Sequence, residues 1–247
     1  MAHNQLALNG NKTEIIHFTS KFKKSIPLAS LNINGAIVTT SVSVRDLGFY
    51  FDHILSMEQH ISYVCKSVSF SLYRISRIQK FLDQTSTERL IHAFVTSRLD
   101  YCNSLLYNLP NTLTKRLQLL QNSAARLVTR TKRHHHITPI LYDLHWLPVC
   151  QRIKFKILLL TFKILNNQAP AYLTELLERN NSNRLTRQSA TVRLLEPRFN
   201  TQSYGSRSFS SAAPRLWNNL PNNIRNAPSL HCFKSALKTF LFTEYYD

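Results

Sequence analysis

Residues 57–82 read MEQHISYVCKSVSFSLYRISRIQKFL, a stretch in which apolar side chains recur at helical spacing. Such a period places them on one face of an amphipathic helix, so we expect one continuous helix here. Residues 13–52, just before it, are instead rich in β-branched and aromatic residues, which favours a small antiparallel sheet. The sequence therefore predicts a short β segment followed by helices. The residues that carry the helical period are Ile61, Val64, Val68, Leu72, Ile75 and Ile78.

Helical patterns continue over most of the remaining sequence. Ser86 opens a second predicted helix, which ends before Pro110 because proline lacks a backbone donor. Residues 152–165 are apolar nearly all round, so we expect a buried central helix; a buried strand is the alternative, which the length disfavours. Ser229 is suited to cap the last helix. The predicted helices span residues 57–82, 86–106, 112–130, 137–146, 152–165 and 170–177, followed by the one that Ser229 caps.

The predicted fold class is mainly α, with a helical bundle, a C-terminal helical unit and a small N-terminal antiparallel β hairpin. Short connections favour antiparallel packing of helices that are neighbours in the sequence. Residues 179–211 are rich in Arg, Asn, Ser and Thr, which is typical of a linker. We therefore divide the chain into four segments, at residues 1–56, 57–178, 179–211 and 212–247.

The charge balance indicates a polyanionic partner. The 247-residue chain carries 31 Lys or Arg and 13 Asp or Glu, a formal net charge of +18. Nucleic acid is the commonest such partner, and an acidic membrane surface is the competing interpretation. No apolar run approaches the length that spans a bilayer, so we expect no segment to cross a membrane. We expect nucleic acid, and not a membrane, to be the partner. The four cysteines are widely spaced, which favours a reduced intracellular protein, nuclear or cytoplasmic.

Cations gather on defined faces of two predicted helices. On residues 112–130, four cations share an arc of roughly 100°, and the apolar residues share a neighbouring arc that should be buried. Those apolar residues are Leu113, Leu117, Leu120, Ala124 and Leu127. Three cations on the central helix also share one face. Aligned cations gain affinity for a phosphate backbone by releasing condensed counterions, and the alternative is a solvated face with no partner. The candidate nucleic-acid-binding residues are Lys115, Arg116, Arg126, Arg130, Arg152, Lys156 and Lys163.

The remaining patterns favour structural roles. His134–His136 have no Cys or carboxylate at ligand spacing, so a polar loop is expected and not a metal site. No two acidic residues are adjacent anywhere in the chain, whereas two-metal phosphoryl transfer needs clustered carboxylates. We therefore expect no enzyme and no cofactor. Some aromatic residues could stack on bases, although core positions are the commoner outcome: Tyr101, Tyr107, Tyr142, Trp146, Phe155 and Trp217.

Six segments together carry a resemblance to one family. Two lie near the N-terminus, at residues 4–18 (NQLALNGNKTEIIHF) and 47–52 (LGFYFD). The others are residues 100–110 (DYCNSLLYNLP), 121–128 (QNSAARLV), 145–148 (HWLP) followed by 152–156 (RIKFK), and 212–221 (AAPRLWNNLP) with Ile224 and Arg225, closing on Phe233–Lys234 and Leu237–Lys238. In this order they resemble the region that follows the catalytic aspartates in non-LTR (LINE-type) retrotransposon reverse transcriptases, most of all the chicken-repeat-like clade.

The resemblance implies a truncated remnant of an RNA-directed DNA polymerase without its catalytic palm aspartates. Residues 57–178 would then be a helical thumb-like region, and Leu47, Gly48 and Phe49 would belong to a hairpin that grips the primer. The parent enzyme would use Mg²⁺, and its thumb would hold the template–primer duplex. The implied partners are RNA, DNA or an RNA–DNA hybrid, contacted through the backbone.

Truncation also implies self-association, because apolar surface that once met the palm would be exposed. Two other interpretations stay open. One is a self-standing basic helical nucleic-acid-binding protein. The other is an expressed relic with no selected function.

Overall fold

The computed structural model describes residues 9, 12–20, 30–33, 35–180, 192–199, 201 and 204–246. The chain forms two compact units, Met1–Val64 and Cys65–Asp247. The predicted fold class is confirmed, since helices dominate and a small antiparallel strand pair lies near the N-terminus. The division into four segments stays a prediction. No helix in the described ranges is long and apolar enough to cross a membrane.

The first unit contains a three-stranded sheet that is mixed, which the sequence did not predict. Its strands are β1 Ile15–Ile16, β2 Ser30–Ile33 and β3 Ala36–Ser41, in the order β1-β3-β2. The β2–β3 pair is antiparallel, as expected, but β1 pairs with β3 in parallel. Pairing order depends on contacts between separated segments, so the β-rich composition of residues 13–52 could not reveal it.

A β hairpin follows, formed by β4 Ser43–Asp46 and β5 Phe49–Asp52. Its two-residue turn has positive φ at both positions, 44° at Leu47 and 89° at Gly48. Positive φ at both central residues is what a type I′ hairpin turn needs, and it suits the twist of the flanking strands. Asp52 ends the hairpin and accepts hydrogen bonds from the backbone N–H groups of Ser56 and Met57, at 2.8 and 2.7 Å.

Ten α-helices occur in the described residues, and two of their starts bear on the sequence predictions. Asp83 caps the second helix, because its carboxylate accepts from the Ser86 backbone N–H at 3.2 Å. That helix therefore begins before the expected Ser86. At the last helix the prediction is confirmed, since the Ser229 hydroxyl accepts from the Cys232 N–H at 3.2 Å. The helices are α1 Glu58–Ile78, α2 Gln84–Ile91, α3 Ser97–Asp100, α4 Asn111–Thr129, α5 Ile137–Asp143, α6 Val149–Leu165, α7 Ala171–Thr174, α8 Phe209–Asn218, α9 Asn222–Arg225 and α10 Leu230–Tyr246.

The core of the second unit is built around α6, the predicted central helix, which packs against α4, α8 and α10. Phe162 of α6 stacks on Phe233 of α10 with ring centroids 4.2 Å apart. Leu194 belongs to the same core although it lies in the predicted linker, and the Trp217 indole N–H donates to the Val192 carbonyl at 3.0 Å. The largest side chains buried in this core are Leu158, Phe162, Leu194, Trp217, Phe233, Leu237 and Leu241.

Candidate nucleic-acid interface

The C-terminal ends of α1 and α4 are tied together by side chains. A 3₁₀ turn, Gln79–Phe81, continues α1, and the last carbonyls of a helical segment have no partner within it. Arg130, which ends α4 at φ 54°, donates to the carbonyls of Leu82 at 2.7 Å and Gln79 at 3.2 Å. The Gln79 amide donates in turn to the Leu127 carbonyl. These hydrogen bonds therefore hold the C-terminal ends of α1 and α4 side by side.

An open cleft of about 650 Å³ lies between these ends, and we call it the basic cleft. Among the lining residues that the structure describes, five are cations and none is acidic. Helix C-termini carry a partial negative charge, which offsets only part of this excess. The cleft is therefore electropositive and suited to an anion. Its cations are Lys80, Arg126, Arg130, Lys132 and Arg133.

The five cations of the basic cleft differ in how they are held. Arg126 donates to the His135 carbonyl at 3.0 Å, and its Nε is buried with no hydrogen-bond partner in the part of the chain that the structure describes. Lys80 lies 4.8 Å from the centroid of the Phe81 ring. Lys132 and Arg133 are exposed in the segment that follows α4. Arg126 and Arg130 thus stabilise the fold, whereas the exposed pair is available to a ligand.

Only part of the predicted cationic face of α4 reaches this cleft. Arg126 and Arg130 line it, while Lys115 and Arg116 lie in the N-terminal half of the helix. Lys115 is exposed. Arg116 is half-buried and hydrogen-bonds the Cys65 thiol, offsetting part of the rise that burial causes in the pKa of Cys65.

The predicted cations of α6 lie elsewhere, and their charges are partly balanced. Arg152 forms a two-pronged ion pair with Asp100, in which Nε donates to Oδ1 at 2.7 Å. Together with Lys156 it lines a separate cavity of about 480 Å³ that also contains Glu88. This cavity has charges of both signs, so it is less suited than the basic cleft to a phosphate backbone. Lys163 is half-buried in the last turn of α6.

Three cations of the basic cleft were not among the candidates from sequence: Lys80, Lys132 and Arg133. Lys132 and Arg133 lie beyond the end of α4, so the geometry of a helical face could not include them. Lys80 lies in the predicted helix 57–82, which is not one of the two helices with a predicted cationic face. One signal could have found Lys80, since no acidic residue occurs between Glu58 and Asp83. The other was the placement of cations after the C-terminal ends of helices, where they interact favourably with the free carbonyls.

Leu47, Gly48 and Phe49, which the resemblance assigns to a hairpin that grips the primer, lie in the first unit. Leu47 is 86% exposed at the turn, Gly48 supplies the second positive φ, and Phe49 is buried. Phe49 stacks on His60 with ring centroids 3.7 Å apart. Of these three residues, only Leu47 presents a large side chain to a ligand.

The acidic side chains that the structure describes are not gathered into a magnesium site of the kind that the resemblance implies for the parent enzyme. Asp52 is committed to two backbone N–H groups and Asp100 to Arg152. Within the described ranges, no group of three or more His, Cys, Asp or Glu is placed to hold a metal ion.

Comparisons of the chain with models of protein families, with curated proteins and with solved structures found no match. The resemblance to reverse transcriptases therefore rests on the six quoted segments. Several of those segments contact one another in the second unit. The pair Asp100–Arg152 joins two of them, and the Gln121 amide donates to the Leu147 carbonyl at 2.8 Å across another pair.

Proposed function

We propose that this chain binds RNA, DNA or an RNA–DNA hybrid by contacts between the basic cleft and the phosphate backbone. The observation that carries the proposal is a cleft whose described lining has five cations and no acid, in a chain of net charge +18. Lys and Arg that meet phosphates release condensed counterions, so binding should be steep in salt and weakly dependent on sequence. Duplex or hybrid should bind at least as well as a single strand.

We further propose that the chain derives from the thumb and downstream region of a LINE-type reverse transcriptase. The order of the six quoted segments supports this origin. Holding a template–primer duplex would be the parental role of such a region, and binding through the backbone suits that role. The contacts between the segments also give a physical reason for their residue types, because they hold helices together.

Three cations of the basic cleft give the sharpest test. Lys80, Lys132 and Arg133 should be changed together to Gln, because Arg126 and Arg130 also hold the fold and their loss would confuse binding with stability. If each of the three meets one phosphate, the slope of log affinity against log salt should shrink by about two to three units on DNA duplex. The affinity of this variant should fall by the same factor for DNA duplexes of every nucleotide sequence.

A matched control removes the same number of positive charges outside the cleft. Arg89, Arg98 and Lys234 are exposed and do not line the basic cleft, so the triple change to Gln tests the effect of net charge alone. We expect this control to change the salt slope by less than one unit. Equal slopes for both triple variants, measured by fluorescence anisotropy on folded protein, would overturn the assignment of the cleft.

A further inference from the structure

Three aromatic side chains stand out from the surface at the end of α1 and the turn that continues it. Phe70, Tyr73 and Phe81 are 61%, 60% and 77% exposed. Large aromatic side chains bury most of their area when they belong to a core, so these three contribute little to the packing of the second unit. Contiguous exposed apolar surface marks a site where a partner binds.

The same face carries cations between the aromatic residues, and we call the set the α1 stripe. On α1, its members share an arc of roughly 100°, because they recur at intervals of three and four residues. The Arg74 guanidinium lies 5.8 Å from the centroid of the Phe70 ring, and Lys80 lies 4.8 Å from that of Phe81. The residues of the α1 stripe are Lys66, Phe70, Tyr73, Arg74, Arg77, Lys80 and Phe81.

The α1 stripe continues into the basic cleft. Lys80 belongs to both, and Ser76 and Gln79 of the same segment line the cleft. No acidic residue occurs between Glu58 and Asp83 to offset the cations. A strand whose phosphates lie in the cleft would therefore have its adjoining nucleotides beside the exposed rings.

We propose that the α1 stripe binds unpaired bases of single-stranded nucleic acid by stacking on Phe70, Tyr73 and Phe81, while its Arg and Lys residues meet the adjoining phosphates. This deepens the function proposed above and rests on it. Every base has a π face, so stacking on aromatic side chains is tolerant of sequence, and interleaved cations suit a backbone that repeats a negative charge at each nucleotide. An apolar protein partner would meet four uncompensated cations at the same face, which costs desolvation energy.

The test compares three nucleic-acid probes that differ in whether bases are present and accessible. They are an oligouridine strand, an abasic strand with the same number of phosphates, and a blunt DNA duplex. The full chain should bind the oligouridine strand roughly tenfold more tightly than the abasic strand, as aromatic stacking of one or two bases supplies. In the variant Phe70→Ala, Tyr73→Ala, Phe81→Ala the preference for oligouridine over the abasic strand should vanish. The affinity of this variant for blunt duplex, and the slope of log affinity against log salt on that duplex, should not change.

The control variant Phe94→Ala, Tyr172→Ala removes two other exposed aromatic residues, which lie outside the α1 stripe, and should keep the preference. Quenching of a 2-aminopurine base within a single strand reports stacking directly and should disappear only in the stripe variant. Equal binding of oligouridine and abasic strands by the unaltered chain would overturn the proposal for the stripe while leaving the cleft intact. The basic cleft is tested separately, by the effect of the Lys80, Lys132 and Arg133 changes on the slope of log affinity against log salt.

Self-association is measured on the same samples by sedimentation. If the stripe variant loses an oligomer but keeps its preference for oligouridine, the stripe is an interface between copies of this chain, and the proposal is wrong. If the preference is lost and the state of association is unchanged, the stripe binds bases.

Discussion

His60 is 3% exposed, and its imidazole stacks on Phe49 while Nδ1 accepts a long hydrogen bond of 3.4 Å from the Tyr50 N–H. Burial lowers the pKa of His60 from 6.5 to about 4, since a charged imidazolium would lose its hydration. Histidine NMR titration should therefore show His60 taking up its proton near pH 4. A midpoint near 6.5 would contradict the burial of this ring in solution.

The lowered pKa of His60 also sets the sign of a stability change. Between pH 6.5 and about 4 the unfolded chain holds the proton and the folded chain does not, so the free energy of unfolding falls as pH drops through this window. Its contribution is complete above pH 6.5. The variant His60→Phe keeps a ring beside Phe49 and cannot take up the proton, so its stability should lose this part of the pH dependence.

For individual residues, the sequence predicted local roles better than contacts with distant parts of the chain. Ser229 was expected to cap the last helix, and it does so because a cap acts within a few residues of itself. Arg130 and Arg152 instead contact carbonyls and a carboxylate about fifty residues away in the chain. Contacts between residues so far apart in the chain do not appear in the hydrophobic pattern of either helix. They could not be predicted from one helix alone.

At the scale of elements, the sequence predicted most of the helices and the burial of α6. The helix expected over residues 86–106 instead ends at Asp100, and the buried face of α4 is rotated from the expected one. The arc expected from apolar residues included Leu120 and Leu127, which are only half-buried. Gln121 and Val128 are buried instead, and the Gln121 amide is satisfied by the Leu147 carbonyl. A buried polar residue is tolerated when it is hydrogen-bonded, so apolar patterning alone misplaces such a face.

The cap of α10 allows a test at this scale. Ser229→Ala removes the hydroxyl that accepts from the Cys232 N–H and should lower the free energy of unfolding by about 1 kcal/mol. Ser229→Asp keeps an acceptor and adds a negative charge at the helix N-terminus, so it should preserve stability. Urea unfolding followed by fluorescence suits the measurement, because both tryptophans, Trp146 and Trp217, lie in the second unit with α10. Equal losses for Ala and Asp would contradict the role of the cap.

Across the molecule, acidic and basic residues differ in where they lie and what they contact. Several acidic residues are engaged in holding the fold, as Asp83 caps α2, Asp100 pairs with Arg152, and Glu244 pairs with Lys154 at 3.3 Å. Cations outnumber acidic residues in the chain, and the part of the basic cleft that the structure describes has no acid in its lining. Net charge was evident from composition, but the assembly of the cleft from the ends of two helices required the structure.

The same distribution of charge predicts how the chain responds to divalent cations. A site for Mg²⁺ or Mn²⁺ needs converging carboxylates, and a ligand at a hundred times its dissociation constant would stabilise the fold by about 2.7 kcal/mol. Here no two acids are adjacent in sequence, and the net charge of +18 repels cations. Adding Mg²⁺ or Mn²⁺ should therefore give the same midpoint of urea unfolding as adding sodium chloride of equal ionic strength. Neither metal should allow the chain to extend a primer on any template. Extension that survives repurification and stops with a chelator would show that the chain assembles a catalytic site from carboxylates that are distant in sequence.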